Sequence, residues 1–264
     1  MKNLGLILVS VFAALVVFYL LILKPVKYET TDMFDDIIQR GYIKVGINPD
    51  SQPFGFYDKE GNIIGYDADL AGYIAQYIVK NPAKVKFIPV TPSNRLIKAS
   101  TGEVDMVIST VTITPLRQEV VSFSRSYDCA GQALLVKSNS AITGLQDLAG
   151  QNIGVIFGTT AEKNIQHLVP TARIQGYRTY QDAYLALKAG NINAITSDDT
   201  ILNRFAIADK SVKLLPKRYS TEPYGIAFKK GSSTVRLKEE LDFAIEDLMR
   251  RNILNKLHKK WGLG

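Results

Sequence analysis

Apolar residues recur along this chain with two different periods, and the switches between them mark its elements. Thr30 to Gly41 (TTDMFDDIIQRG) predicts a capped helix closed by a glycine, and Tyr42 to Asn48 (YIKVGIN) predicts a strand. PFGFYDKEGNIIGYD predicts a hairpin turning at Lys59 to Asn62. In DADLAGYIAQYIVK the apolar Leu70, Ile74, Tyr77 and Ile78 fall at helical spacing. KVKFIPV then predicts a strand, SNRLIKASTG a short helix closed by Gly102, and Val104 to Thr110 (VDMVIST) a buried strand. Strands and helices alternate to this point, which predicts a largely parallel sheet covered by helices.

The alternation restarts further on. GLQDLAG leads into the strand NIGVIF, the helix TAEKNIQHLV, the strand ARIQGY, the helix TYQDAYLALKAG and the strand INAITSD. Two extended stretches, FSRSYDCAGQALLVKSN and STEPYGIAFKKG, separate the two series and follow the second. One long amphipathic tail closes the chain, with Leu237, Leu241, Ile245 and Leu248 on one face. Two series joined by two extended connectors predict two lobes that the chain crosses between twice, with a ligand cleft between them. The expected division is a first lobe of residues 28–132 and 223–264 and a second lobe of residues 133–222.

The first 27 residues stand apart. Leu4 to Leu23 are twenty residues without a charge, enough to span the roughly 30 Å core of a bilayer. No clear small-residue cleavage site follows, so an uncleaved anchor is expected, with a cleaved signal peptide as the alternative. No cysteine follows either, which excludes a lipid-anchored lipoprotein. The body would then lie outside the cytoplasm, tethered to a membrane. Net charge is +7, but the cations are scattered among acids with no dense basic run, which argues against a nucleic-acid partner. Cys129 is the only cysteine, so no internal disulfide or cysteine-based zinc site can form. It is expected to be a small packed residue on the first connector. His167 and His258 show no ligand spacing, and neither a metal nor a cofactor is expected.

Three places carry candidate chemistry. In VTITPLRQE, Thr114 is a good N-cap and Pro115 a good first helical residue, which puts Arg117 at the third position of a helix. A cation is unfavourable there unless an anion is close, so Arg117 points to an anionic ligand. In FGTTAEKN a strand ends at Gly158, and Thr159 and Thr160 open a helix whose N–H groups and hydroxyls could hold a carboxylate. In TSDDT a strand ends in two aspartates: one would only cap the following helix, and the other could receive an ammonium. Together these groups would clamp an α-amino acid.

The series YIKVGIN, PFGFYD, GNIIGYDADLAGYIA, GEVDMVISTVTITPLRQEVVSFSRSYDCAGQALLV, LAGQNIGVIFGTTAEKN, AYLALKAGNINAITSD, YGIAFKKG and KKWG resembles the solute-binding proteins that supply polar amino acids to ABC importers. The likeness extends from Asp32 to Gly262. It implies an α/β, two-lobed periplasmic-binding-protein-like fold of type II, each lobe a mostly parallel sheet flanked by helices, with two hinge crossings. It implies that Arg117 grips the ligand α-carboxylate, assisted by Thr112 and by Thr159 or Thr160. Asp198 would accept the α-ammonium, with the main chain of Ser109 or Thr110 sharing that role, and Trp261 would anchor the tail.

Family members that bind arginine, lysine or histidine usually stack the side chain between aromatics, where this chain has Ser51 and Pro92. SNR, with Arg95 lying 22 residues before Arg117, is similar to the aspartate- and glutamate-binding branch, in which that arginine faces the side-chain carboxylate. Asn48 stands where some acidic-amino-acid binders carry a further arginine, which keeps glutamine and asparagine open. The expected function is binding of glutamate, aspartate or their amides by a monomer that closes on the ligand and delivers it to a membrane permease. An enzyme resembling the dehydratases on this fold, or a tethered amino-acid sensor, are the alternative classes.

Overall fold

The structure is a computed structural model and describes residues 32–263. The expected anchor, Leu4 to Leu23, lies outside the described residues. Among the described residues no helix is long and apolar enough to cross a membrane.

The chain opens with helix α1 (Met33–Arg40), capped by the Asp32 carboxylate on the Phe34 N–H and ended by Gly41 at φ 74°. Strand β1 (Ile43–Ile47) leads into a small antiparallel sheet of β2 (Asp50–Ser51), β3 (Gly55–Tyr57) and β4 (Ile63–Ile64). The expected hairpin turn closes through Asp58, which takes up the N–H groups of Glu60 and Asn62. Helix α2 (Tyr66–Ile78), strand β5 (Val85–Pro89), helix α3 (Arg95–Thr101), strand β6 (Met106–Val107) and the one-turn helix α4 (Pro115–Gln118) follow.

Strand β7 (Val121–Ala130) passes through Gly131 into β8 (Gln132–Lys137). Then come β9 (Asn152–Ile156), α5 (Thr160–Leu168), β10 (Arg173–Tyr177), α6 (Tyr180–Ala189), β11 (Ala194–Asp198), α7 (Asp199–Ala208) and β12 (Val212–Leu214). Strand β13 (Glu222–Lys229) and helices α8 (Val235–Arg250) and α9 (Ile253–Trp261) finish the chain.

Two five-stranded sheets result, ordered β5-β1-β6-β13-β7 and β10-β9-β11-β8-β12. In each, four strands run in one direction and one strand, β13 or β8, runs against both of its neighbours. Those two are the strands on which the chain enters a sheet from the other one. They follow an extended crossing instead of a helix, so the right-handed crossover that makes neighbours parallel does not apply to them. The two crossings lie side by side, Ala130 paired with Glu222 and Cys129 with Pro223.

The cores follow the apolar periods. Leu237, Leu241, Ile245 and Leu248 of α8 are buried with Leu70, Ile74 and Ile78 of α2. Leu134, Val136, Ile153, Val155 and Ala194 form a core for the second sheet. Trp261 anchors the end as expected, donating its indole N–H to Asp69 at 2.7 Å and meeting Phe56 edge-on.

Three expectations are corrected. The strand expected over Val104 to Thr110 is cut to β6, because the backbone turns at Thr110 into the left-handed region (φ 47°), which ends extended pairing. The tail is two helices, broken where Asn252 takes φ 58°. Cys129 is exposed instead of packed: it lies on the crossing ribbon, and its neighbour Ala130 is the residue that turns inward.

Candidate functional site

The expected site residues gather at the carboxyl ends of strands and the starts of the helices that follow them, the usual ligand position in open α/β sheets. Arg117 is the third residue of α4. The Thr114 hydroxyl accepts its N–H at 3.2 Å and Pro115 fills the first position. Its guanidinium is buried and bridges the lobes, donating Nη1 to the Thr112 carbonyl at 2.9 Å and Nη2 to the Gly158 carbonyl at 3.0 Å. Burial, and then the nearby Arg95 cation, lower its pKa to about 10, while Asp198 and Glu222 act the other way.

Arg95 opens α3 and is 3% exposed, far too buried for a solvated helix-face charge. Its Nη1 donates to the carbonyls of Ser109 and of Thr110, the latter at 3.3 Å, and its Nε has no hydrogen-bond partner among the described residues. The two carbonyls expected to help an ammonium are therefore also the ones that hold Arg95.

The two aspartates of TSDDT divide their work, but not as expected. Asp198 occupies the cap position of α7 without capping it, and its Oδ2 accepts the Tyr224 hydroxyl at 2.6 Å. Burial raises its pKa to about 6, against the Tyr224 hydrogen bond. Asp199 is structural by a different route: it accepts the Gly131 N–H at 3.0 Å and pairs with Arg218, tying α7 to the crossing.

The threonine hydroxyls of the second lobe are already engaged. Thr159 caps α5, accepting the Glu162 N–H and donating to the Ile156 carbonyl at 2.8 Å. Thr160 donates to Glu222 at 2.8 Å, across to the return strand. What this corner keeps for an anion is the first-turn backbone N–H groups of α5. Asn48 supports its own loop, donating its N–H to the Ser109 hydroxyl at 3.0 Å and accepting the Asp50 N–H on Oδ1 at 3.1 Å. Ser51 and Pro92 bring no aromatic face to the cleft. Ser51 donates to the Asn48 carbonyl, and Pro92 packs on Gly158.

Other residues at the site were not read from the sequence. Tyr224 lies on the return strand. Tyr180, the buried first residue of α6, accepts a hydrogen bond from the Ser197 hydroxyl at 3.4 Å. Asp67, fully buried in the first turn of α2, accepts the Thr110 N–H at 3.0 Å and the Tyr127 hydroxyl at 2.9 Å, and burial raises its pKa to about 7. The signal available for Asp67 was a first-turn acid, which ordinarily reads as a surface partner of the helix dipole.

Two α/β lobes crossed twice by the chain, with charged groups of both signs buried where their strand ends face each other, define a two-lobed binding protein of type II fold. The sequence profile of the bacterial extracellular solute-binding proteins, family 3, matches residues 43–264, and the chain belongs to that family. It is 34% identical to the ABC transporter glutamine-binding protein GlnH of Bacillus subtilis (strain 168), over 89% of this chain and 86% of that one. It is 36% identical to a glutamine-binding protein of Geobacillus stearothermophilus, over 74% and 76%. Among solved structures, a mutant of ArgBP from T. maritima superposes with a TM-score of 0.81 at 30% identity, covering 88% of this chain and all of that one.

Proposed function

We propose that the cleft binds a polar α-amino acid and that the closed form delivers it to the permease of an ABC importer. One observation carries this reading: a buried guanidinium, Arg117, held by one carbonyl from each lobe, with the buried carboxylate Asp198 acting on it electrostatically. Arg117 and the first turn of α5 would take the α-carboxylate, the guanidinium as a fork and the helix start as N–H donors. Asp198 would take the α-ammonium, with the Ser109 and Thr110 carbonyls beside it. Arg95 and Arg117 come from elements of the first lobe, and Thr159, Thr160 and Asp198 from the second. A ligand touching both sets would favour closure.

For the ligand side chain we favour glutamine, with glutamate and aspartate next. Arg95 would present its unpartnered Nε, a donor that an amide oxygen or a carboxylate can meet, but its Nη1 is already engaged by two carbonyls. Two buried arginines facing Asp198 and Glu222 already balance in sign, so a ligand with no net charge fits without adding an unpaired one. Asn48 suits an amide, and the two glutamine-binding relatives agree with this ranking. Ser51 and Pro92 leave no aromatic sandwich for a cationic side chain.

The division into lobes of residues 28–132 with 223–264, and 133–222, is part of this proposal. So is a monomeric body outside the cytoplasm, tethered through Leu4 to Leu23. The test is thermal unfolding of the full chain against glutamine, glutamate, aspartate, asparagine, arginine, lysine and histidine. A ligand at a thousand times its dissociation constant adds about 4 kcal/mol. Glutamine is expected to give the largest rise in midpoint. A flat panel overturns the reading, and a rise with glutamate or aspartate alone returns Arg95 to the role of side-chain carboxylate partner.

A further inference from the structure

A second set of contacts between the lobes runs beside the site, through the Tyr180 backbone, and uses none of the groups assigned to the α-carboxylate and α-ammonium. Asp50, in β2 beside the first sheet, directs its carboxylate at the start of α6 in the second lobe, where Oδ2 accepts the Tyr180 backbone N–H at 2.5 Å. That N–H is a first-turn donor with no partner inside its own helix, and the cap residue Thr179 serves the Asp182 N–H instead. Oδ1 of Asp50 is 3.7 Å from Nη2 of Arg204, on α7 of the second lobe. The other arm of Arg204 reaches Gln52 Oε1 at 3.5 Å, and the guanidinium lies over the Phe205 ring. Nε and Nη2 of Arg204 are buried without any hydrogen-bond partner among the described residues. The carboxylate thus crosses from one lobe to sit at the positive end of a ten-residue helix of the other, beside a cation that has no closer acid.

We propose that Asp50 and Arg204 form a latch between the lobes that biases the cleft toward closure without touching the ligand. Opening would separate the Asp50 carboxylate from both the α6 N-terminus and Arg204, so the contact belongs to the closed arrangement alone and acts on the equilibrium that ligand binding also shifts. Its effect on affinity rests on the amino-acid reading above; its effect on the closed population does not. A bias of this kind changes the fraction of competent protein and therefore scales the affinity for every ligand by the same factor.

The test uses the full chain with Cys129→Ser and spin labels at Ile38→Cys and Leu168→Cys, exposed positions on opposite lobes. Interlobe distances are measured without ligand. Asp50→Ala and Arg204→Ala are each expected to reduce the short-distance population. Asp50→Asn, which keeps an acceptor for the Tyr180 N–H but loses the charge, should fall between Asp50→Ala and the parent. Calorimetry should show Asp50→Ala weakening every amino acid that the parent binds by the same factor, about tenfold, with Asp50→Ala and Arg204→Ala less than additive when combined. Unchanged distances in both single variants overturn the latch. A loss that differs from ligand to ligand also overturns it, by making Asp50 a ligand contact. If the parent binds no amino acid yet its distances still respond to Asp50→Ala, the latch stands and the amino-acid reading falls.

Discussion

Gly158 of the second lobe lies so close to Pro92 of the first that no side chain fits between them: a Cβ on Gly158 would stand 2.5 Å from the Pro92 carbonyl oxygen and 2.7 Å from Ser93 Cα. Both obstacles are backbone, so neither can rotate aside, and Gly158 also sits at φ 82°, where a side chain is strained. The clash exists only when the lobes meet. Gly158→Ala is therefore expected to leave each lobe folded and block closure, weakening ligand binding by about a hundredfold or more, the scale at which a two-state bias of a few kcal/mol is lost. Small-angle scattering in saturating ligand checks this: the variant should keep an extended profile where the parent contracts. Contraction equal to the parent's would show that the Pro92 contact does not control closure.

Arg117→Ala is expected to abolish measurable amino-acid binding. Removing one partner of a buried ion pair costs about 3 to 5 kcal/mol, because the other charge is left without compensation, which corresponds to a loss of some two orders of magnitude or more. Arg117→Lys should not restore it. An ammonium cannot reach the Thr112 and Gly158 carbonyls and a ligand carboxylate together, as the planar fork can. Calorimetric titration of both variants is the check, and near-parental affinity in either would remove Arg117 from the clamp.

Asp198 makes stability and affinity respond to pH in opposite directions. Its folded pKa, raised by burial to about 6, lies above the unfolded value near 3.9. The stability from its protonated form is thus fully present below about pH 4 and is lost as pH rises through 6. An ammonium ligand prefers the ionised carboxylate, so affinity should fall as pH drops below 6, with a proton released on binding. Titration at pH 5.5 in two buffers of different ionisation enthalpy would show that release. Asp198→Asn should stabilise the ligand-free protein above pH 7, by on the order of 3 kcal/mol, while removing ammonium recognition. A variant less stable than the parent at pH 8 would contradict this placement of the charge.

How much of this could be read from the chain depended on how locally each residue's chemistry is expressed. Arg117 was legible because a cation in a first turn conflicts with the helix dipole, and the Thr114 and Pro115 signals placed that turn. Asp198 was legible because an apolar strand ended on it. The fate of its neighbour Asp199 was not, since the Gly131 N–H that it accepts comes from 68 residues away. Thr110 looked like the end of a strand because β-branched residues favour extension; its left-handed turn is imposed from outside, by Asp67 on its N–H and Arg95 on its carbonyl. Tyr224 and Tyr180 read as ordinary apolar members of their strand and helix; the return strand brings the Tyr224 hydroxyl to Asp198, and the packing of α6 on β11 within the second lobe brings that of Tyr180 to Ser197. The two-lobed plan was legible for the opposite reason: strand and helix periods are local, and their interruption by two extended stretches is visible without any long-range contact.

His258 offers a second titration, between α9 and β7. It lies on α9 with its Nε2 at 3.1 Å from Asp128 Oδ1 on β7, and its ring meets Tyr66 edge-on. The Asp128 hydrogen bond raises its pKa above the ordinary histidine value of 6.5, outweighing partial burial. A raised folded pKa means that the imidazolium's stabilisation is fully present below 6.5 and is lost as pH rises through the folded value. His258→Gln keeps a donor but carries no charge. The gap in melting temperature between parent and variant is therefore expected to be widest below pH 6.5 and to narrow as pH rises through the folded value, once imidazole and amide are both neutral. The ring's packing on Tyr66 would be lost at every pH, so a constant residual gap is compatible with this account. A gap that does not depend on pH at all would show that His258 holds α9 by packing alone, with no contribution from the Asp128 charge.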